Sequence, residues 1–239
     1  LTIRFNSLIK YSNNKSIINF IKMKIQQLIP AVSFGLLLLN ANALLAQSSS
    51  KTYAEVSVKE GGKWEGRKYI GGTFKNVQKL KLAPEHTDHS FDIRYEGPGW
   101  ESNKIGYRLY LDWRNAIDIF GKKTSDVVLQ NVGLDGYDSY HLNADWGVDV
   151  LKVGKSLGMG GYGFWNGKSV DLVSLVDTLD AIITNNCDIY SGFKINYNGW
   201  QINNQKVDLA AHFSMNAGSR LVNVKLQASQ QLPNLAIGL

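Results

Sequence analysis

Three short segments of the 239-residue chain concentrate side chains that can do chemistry. The first is Glu85-His86-Thr87-Asp88-His89. Two imidazoles and two carboxylates within five residues offer ligands to a divalent cation, with His86, His89 and Asp88 the candidate set, or a base in one of the histidines. The spacing matches no standard zinc motif, and a solvated loop is the plain alternative. The second, YEGPGWESNKIGYRLYLDWRNAIDIFGKK, runs from Tyr95 to Lys123. Gly97-Pro98-Gly99 forces a bend that leaves Trp100, Glu101 and Asn103 at the mouth of a strand whose polar face would carry Arg108, Asp112 and Arg114. A guanidinium fork grips a carboxylate in bidentate fashion, so Arg108 and Arg114 are candidates for holding an acidic sugar or a peptide terminus, unless they form a cross-strand ladder with Asp112. The third, DGYDSYHLNADWGVDVLKVG, brings Tyr137, Asp138, Tyr140, His141, Asp145 and Trp146 within ten residues. A tyrosine and a histidine held together can remove and return protons while a carboxylate orients the imidazole. His141 is the candidate base and Tyr140 or Tyr137 the candidate acid. On a regular strand Tyr137 shares a face with His141, whereas Tyr140 reaches the same site only where the backbone turns.

The elements that must hold these segments read as strands. Apolar and polar residues alternate with period two through Tyr53–Val58, Phe91–Tyr95, Ile105–Trp113, Ser169–Asp177, Asp188–Tyr197, Val207–Met215 and Leu221–Gln227. Asn198-Gly199 and Asn203-Asn204 supply turn chemistry, and Asn143 to Leu151 is the one stretch that could form a short helix. The pattern predicts an all-β antiparallel sandwich, of the supersandwich kind. Between Gly133 and Gly167 nine glycines lie among tyrosines and tryptophans, which suits close backbone approach beside flat stacking surfaces.

The net charge of +6 would suggest a polyanionic partner, but its distribution argues against nucleic acid. Residues 1–46 carry five basic residues and no acid, leaving the remainder nearly neutral with 21 basic against 20 acidic residues. From Met23 the sequence MKIQQLIPAVSFGLLLLNANALLAQ has the basic start, short apolar run and small residues of a secretory signal peptide cleaved after Ala46. The apolar run falls short of a spanning helix, so the expected mature protein has no membrane span and is periplasmic or secreted. Residues 1–22 read as upstream sequence outside the fold, and 47–239 as one domain that lacks its last strands. The single Cys187, expected half-buried on a strand, excludes intramolecular disulfides and thiolate metal clusters. No P-loop, Rossmann fingerprint, G-x-S-x-G elbow or H-E-x-x-H is present.

Two blocks, EGPGWESNKIGYRLYLDWRNAIDIFGKK and YHLNADWGVDVLKVGKSLGMGGYGFW, resemble the secreted bacterial family known as domain of unknown function 4861, the likeness running from about Tyr53 to Leu239. The resemblance implies a protein of polysaccharide utilisation, with some members acting as oligosaccharide dehydratases. It therefore implies elimination across C4–C5 of an acidic oligosaccharide containing uronic acid; the residues themselves make Arg108, Arg114, Trp100, Glu101 and Trp146 the candidates for contacting such a substrate. A non-catalytic glycan-binding sandwich needs only exposed Trp and Tyr. A glycoside hydrolase needs two opposed carboxylates, for which Glu101 with Asp138 or Asp145 would have to converge.

Overall fold

The structure, a computed structural model, describes Thr2–Ile3 and residues 51–238. The signal peptide expected at 23–46 therefore lies outside the described residues, as does most of the upstream segment, although Thr2 and Ile3 pair with Lys225 and Val224. In chain order the strands are β1 (Thr2–Ile3), β2 (Thr52–Glu55), β3 (Ser57–Glu65), β4 (Lys68–Asn76), β5 (Lys79–Lys81), β6 (Gly99–Ser102), β7 (Gly106–Leu109) and β8 (Ile117–Lys122). They continue with β9 (Gly147–Asp149), β10 (Tyr162–Trp165), β11 (Val170–Leu172), β12 (Thr178–Cys187), β13 (Tyr190–Ile202), β14 (Gln205–Asn216), β15 (Val222–Ala228) and β16 (Leu235–Ile237). A six-stranded sheet has the order β1-β15-β14-β13-β12-β5 and a five-stranded sheet the order β2-β6-β7-β8-β9. A three-stranded sheet, β11-β10-β16, and the separate hairpin β3-β4 complete the set.

The two large sheets form an antiparallel all-β sandwich because each has one apolar face. Phe193, Ile195 and Tyr197 of β13 alternate with half-buried Lys194 and Asn196, and Leu209, Ala211 and Phe213 of β14 do the same beside them. Against this face the smaller sheet sets Trp100, whose ring lies 4.8 Å from Phe193 and 5.5 Å from Phe213, with Tyr107 and Leu109 alongside. Full burial of each such side chain stabilises by roughly 1.5–3 kcal/mol, which makes this interface the chief cohesive contact of the domain.

The opposite face of the five-stranded sheet is buried and charged. Register places Gly99, Arg108 and Asp118 abreast on β6, β7 and β8, and Phe120 beside Asp149 on β9. Loops covering residues 84–96 and 123–146 close over this face, so its charges meet protein partners rather than water.

Several expected elements differ. The run Phe91–Tyr95 is not a strand: Phe91, Tyr95 and Glu96 take positive φ, and a 3-10 turn spans Arg94–Glu96. The strand expected over Ile105–Trp113 ends at Leu109, because Asp112 and Asn115 close a turn through the Asn115 amide at 3.1 Å. Asn143 to Leu151 contains β9 rather than a helix, its Gly147 backed so closely on Gly121 that a Cβ would fall 1.9 Å from the Gly121 carbonyl oxygen. Ser169–Asp177 keeps only three strand residues. Asn203-Asn204 turns the β13–β14 hairpin with φ of 46° and 59°, the paired positive values that this tight turn requires. Asn198-Gly199 instead makes a bulge inside β13, where the register shifts between Tyr197 and Trp200. Cys187 ends β12 exposed rather than half-buried. No helix among the described residues is long and apolar enough to cross a membrane.

Candidate active site

Arg108 is the anchor of the charged face. Its side chain is 1% exposed, and its Nη2 donates to Asp118 Oδ2 and Asp149 Oδ2, both at 2.8 Å. Its Nη1 donates to the Tyr140 hydroxyl at 2.8 Å, and Tyr110 adds a further hydroxyl contact. The pairing with Asp118 follows from strand register, since the two residues face each other across β7 and β8. Glu96 joins a second layer to the first: one oxygen lies 3.9 Å from Arg108 Nη1, and the other accepts from Arg114 Nη2 and from the His89 amide, each at 2.9 Å. Arg114 also clasps Asp112 through both Nε and Nη2. The three segments singled out from the sequence therefore meet at Glu96 and Arg108.

The backbone around this junction is strained. His89, Phe91, Tyr95, Glu96 and Asn115, none of them glycine, have φ of 59°, 63°, 39°, 68° and 41°. Each such conformation costs on the order of 1–3 kcal/mol and persists only where its surroundings hold it. Here the hold is visible: the Tyr137 ring stacks on Phe91 at 4.6 Å, its hydroxyl accepts the Phe91 amide at 3.1 Å, and Glu96 secures His89.

At the solvent edge stands His141, the last residue of the 3-10 turn Ser139–His141. Its side chain is 50% exposed, while its Nδ1 lies 3.2 Å from Asp149 Oδ2, a carboxylate with only 3% of its side chain exposed. Partial burial, with Arg108 nearby, lowers the histidine below its ordinary value of 6.5, so the imidazole is neutral at neutral pH. Burial pushes Asp149 up to about 7, against the pull of Arg108 and with the Asp118 charge adding to the rise. The imidazole, its Nδ1 facing that buried carboxylate and its other nitrogen free to meet a substrate proton, is a competent proton acceptor. The turn also supplies the bend that adjacent Tyr140 and His141 need to approach one site; their rings are 4.6 Å apart.

The other sequence candidates divide. Tyr140 and Tyr137 are both buried, and burial raises both phenols, so each keeps its proton. Their hydroxyls accept from Arg108 Nη1 and from the Phe91 amide, at 2.8 and 3.1 Å. Arg108 and Arg114 do bind carboxylates, but the protein's own, and they do not share one strand face. Trp100 is buried between the sheets and offers no surface to a ligand. Glu101 is fully buried, paired with Lys122 and accepting the amides of Val128 and Leu129 at 2.8 and 2.7 Å; burial raises it against the pull of Lys122. No substrate contact and no hydrolase carboxylate pair arises from it. Trp146 is half-buried, edge-on to Phe120 at 5.9 Å. His86, Asp88 and His89 do not converge: His86 Nδ1 turns to Asp92 at 2.8 Å while His89 faces Asp88 at 3.4 Å. Among the described residues no group of three His, Cys, Asp or Glu side chains is arranged to hold a metal ion.

Sequence reasoning missed Glu96, Asp118 and Asp149. Asp118 was findable, since a hairpin centred near Asp112–Asn115 pairs it with Arg108. Glu96 was not, because its role depends on a left-handed backbone that no residue type there announces.

A family model described as "Domain of unknown function (DUF4861)" matches residues 32–239. No curated protein and no solved structure matches the chain.

Proposed function

The chain belongs to the DUF4861 family, and from that premise we propose that it is an exported carbon–oxygen lyase that eliminates across C4–C5 of uronate units in acidic oligosaccharides. The observation that carries the reading is the pair His141 and Asp149, a half-exposed imidazole whose Nδ1 lies 3.2 Å from a buried carboxylate. In the proposed step His141 takes the C5 proton, the released electron pair forms the C4–C5 double bond, and the C4–O bond breaks. The imidazolium then returns its proton to the departing oxygen. Loss of water makes the reaction a dehydration and loss of a sugar makes it a depolymerising lyase step; the atoms balance in both. Arg108 and Tyr140 hold Asp149 and the turn beneath His141.

Cations for the substrate carboxylate come from the β3–β4 hairpin. Lys59 and Lys68 sit 6.0 and 5.8 Å from the centre of the Phe91 ring, which itself stacks on Tyr137. Ammonium groups at an aromatic rim, on exposed Lys68 and half-buried Lys59, supply long-range attraction without competing carboxylates of the kind that occupy Arg108.

Incubation with uronate oligomers tests the proposal. Elimination gives a product absorbing in the ultraviolet as an unsaturated uronate, with mass spectra showing either loss of one water or an unsaturated fragment. Saturated fragments would indicate hydrolysis instead, and unchanged oligomers would contradict catalysis.

A further inference from the structure

The β3–β4 hairpin is built in two halves joined by glycines. Gly61-Gly62 on β3 stand opposite Gly71-Gly72 on β4, with Gly62 and Gly71 in direct register. Gly61, Gly71 and Gly72 take φ of 84°, 74° and 76°, far from strand values. A Cβ at Gly62 would fall 2.4 Å from the Ile70 carbonyl oxygen and one at Gly72 2.6 Å from that of Glu60, so neither position takes a side chain.

Backbone contacts show that the hairpin bends at these glycines. Before them, Val58 bridges Ile93 and the Lys59 amide donates to the Asp92 carbonyl at 2.8 Å; beyond them, the Tyr69 amide donates to the Ser90 carbonyl at 2.7 Å. Tyr69 stands opposite Trp64, five residues past Lys59 on β3. Five residues of straight strand cover about 17 Å, whereas Ser90 and Asp92, two residues apart, span at most about 7 Å. The outer half, residues 63–70, is therefore folded back toward residues 90–92. Among the described residues the Tyr69–Ser90 bond is the one hydrogen bond between this half and the chain outside the hairpin. Within itself the half is well held: Trp64 packs edge-on to Tyr69 at 5.3 Å, and the Tyr69 hydroxyl accepts the Gly62 amide at 3.2 Å. A segment firm within itself, tied down by a single bond and hinged at paired glycines, moves as a unit.

Charge gives that motion a ligand. Lys63 pairs with Glu65 and Lys75 with Glu60, while Lys59 and Lys68 make no ion pair among the described residues. The bend brings these two ammonium groups, one from each half, to 6.0 and 5.8 Å from the centre of the Phe91 ring. Two such cations repel each other unless an anion lies between them.

We propose that residues 63–70 are a flap that swings about the paired glycines, and that a ligand carboxylate bridging Lys68 of the flap and Lys59 of the fixed half holds it down at the Phe91–Tyr137 pair. The inference rests on the proposed function only for the source of that carboxylate, a uronate.

Amide exchange in the full chain, followed by NMR, tests it. Alternate amides of an antiparallel strand point away from its partner, so the Tyr69 amide reports on the bond to Ser90 and the Ile70 amide on the hairpin itself. The Tyr69 amide is expected to exchange at least about tenfold faster than that of Ile70 once intrinsic rates are removed. Citrate, a multivalent carboxylate, should slow Tyr69 at least about threefold relative to sodium chloride of the same ionic strength, and Lys68→Gln should abolish that effect. A Cβ at Gly71 meets nothing nearer than 3.9 Å, so Gly71→Ala penalises only the left-handed φ of the closed form and should speed Tyr69 exchange about five- to thirtyfold. Gly71→Asn, which tolerates that φ, should stay close to the wild type. Tyr69 exchange no faster than that of Ile70, or equal acceleration of both amides in Gly71→Ala, would show a fixed hairpin and overturn the flap. A citrate effect no larger than that of chloride would overturn its closure by a carboxylate. Elimination of uronate oligomers assayed in parallel separates the two readings. A citrate-responsive flap without elimination would leave the flap standing and overturn the lyase, whereas elimination by a protein with a fixed hairpin would do the reverse.

Discussion

His141 Nδ1 and Asp149 Oδ2 stand 3.2 Å apart, and the pH behaviour of this pair is the sharpest expectation at the level of single residues. Asp149 must be ionised to orient the imidazole, and burial holds it up to about 7, so kcat/KM should rise through that region as the pH increases. Asp149→Asn should remove this limb and lower turnover about 10²-fold, because an amide cannot stabilise the imidazolium. The same shift has a consequence for folding. The folded protein keeps a proton that the unfolded chain, titrating near 3.8, has already released. Its stabilising contribution is present below that value and is lost as pH rises through about 7. Melting temperatures of the wild type should therefore decline relative to Asp149→Asn between pH 5 and 8; parallel curves would mean that Asp149 is not raised.

Among the elements, the five-stranded sheet carries its charge in buried pairs under loops, and the separate β3–β4 hairpin carries exposed charge beside them. Glu101 with Lys122, fully buried at 0% and 1% side-chain exposure, exemplifies the first. Lys122→Met leaves a carboxylate with two amide donors and no countercharge, and should cost about 3–5 kcal/mol in urea unfolding; a loss under about 1 kcal/mol would show that the loop relaxes to admit water. For the hairpin, Lys59→Gln combined with Lys68→Gln should raise KM for acidic oligomers about three- to tenfold with kcat unchanged, an effect that fades at high salt. Loss of kcat instead would place the lysines in the chemistry. These contrasts also explain what the sequence could disclose. Period-two alternation marks β13 and β14 plainly, because both bury one face only. Phe91–Tyr95 alternates just as well, yet it folds as a left-handed turn under Tyr137, a tertiary hold with no local signature. Arg108 looked like a solvent-facing ligand for the same reason: alternation separates two faces but does not say that loops cover the polar one.

For the molecule as a whole, the sandwich separates cohesion from chemistry. Trp100, Phe193 and Phe213 join the sheets on one side of the smaller sheet, while on its other side Arg108, Glu96 and the loops they secure lead outward to His141. That separation allows the imidazole to be removed without disturbing the core, since half of its side chain already faces solvent. The decisive measurement is elimination by His141→Ala on uronate oligomers, followed by ultraviolet absorbance and paired with calorimetric affinity and a urea unfolding curve. General base catalysis by His141 predicts turnover lowered by about 10²–10⁴-fold with affinity and stability close to the wild type. Wild-type turnover in a folded His141→Ala protein would contradict it.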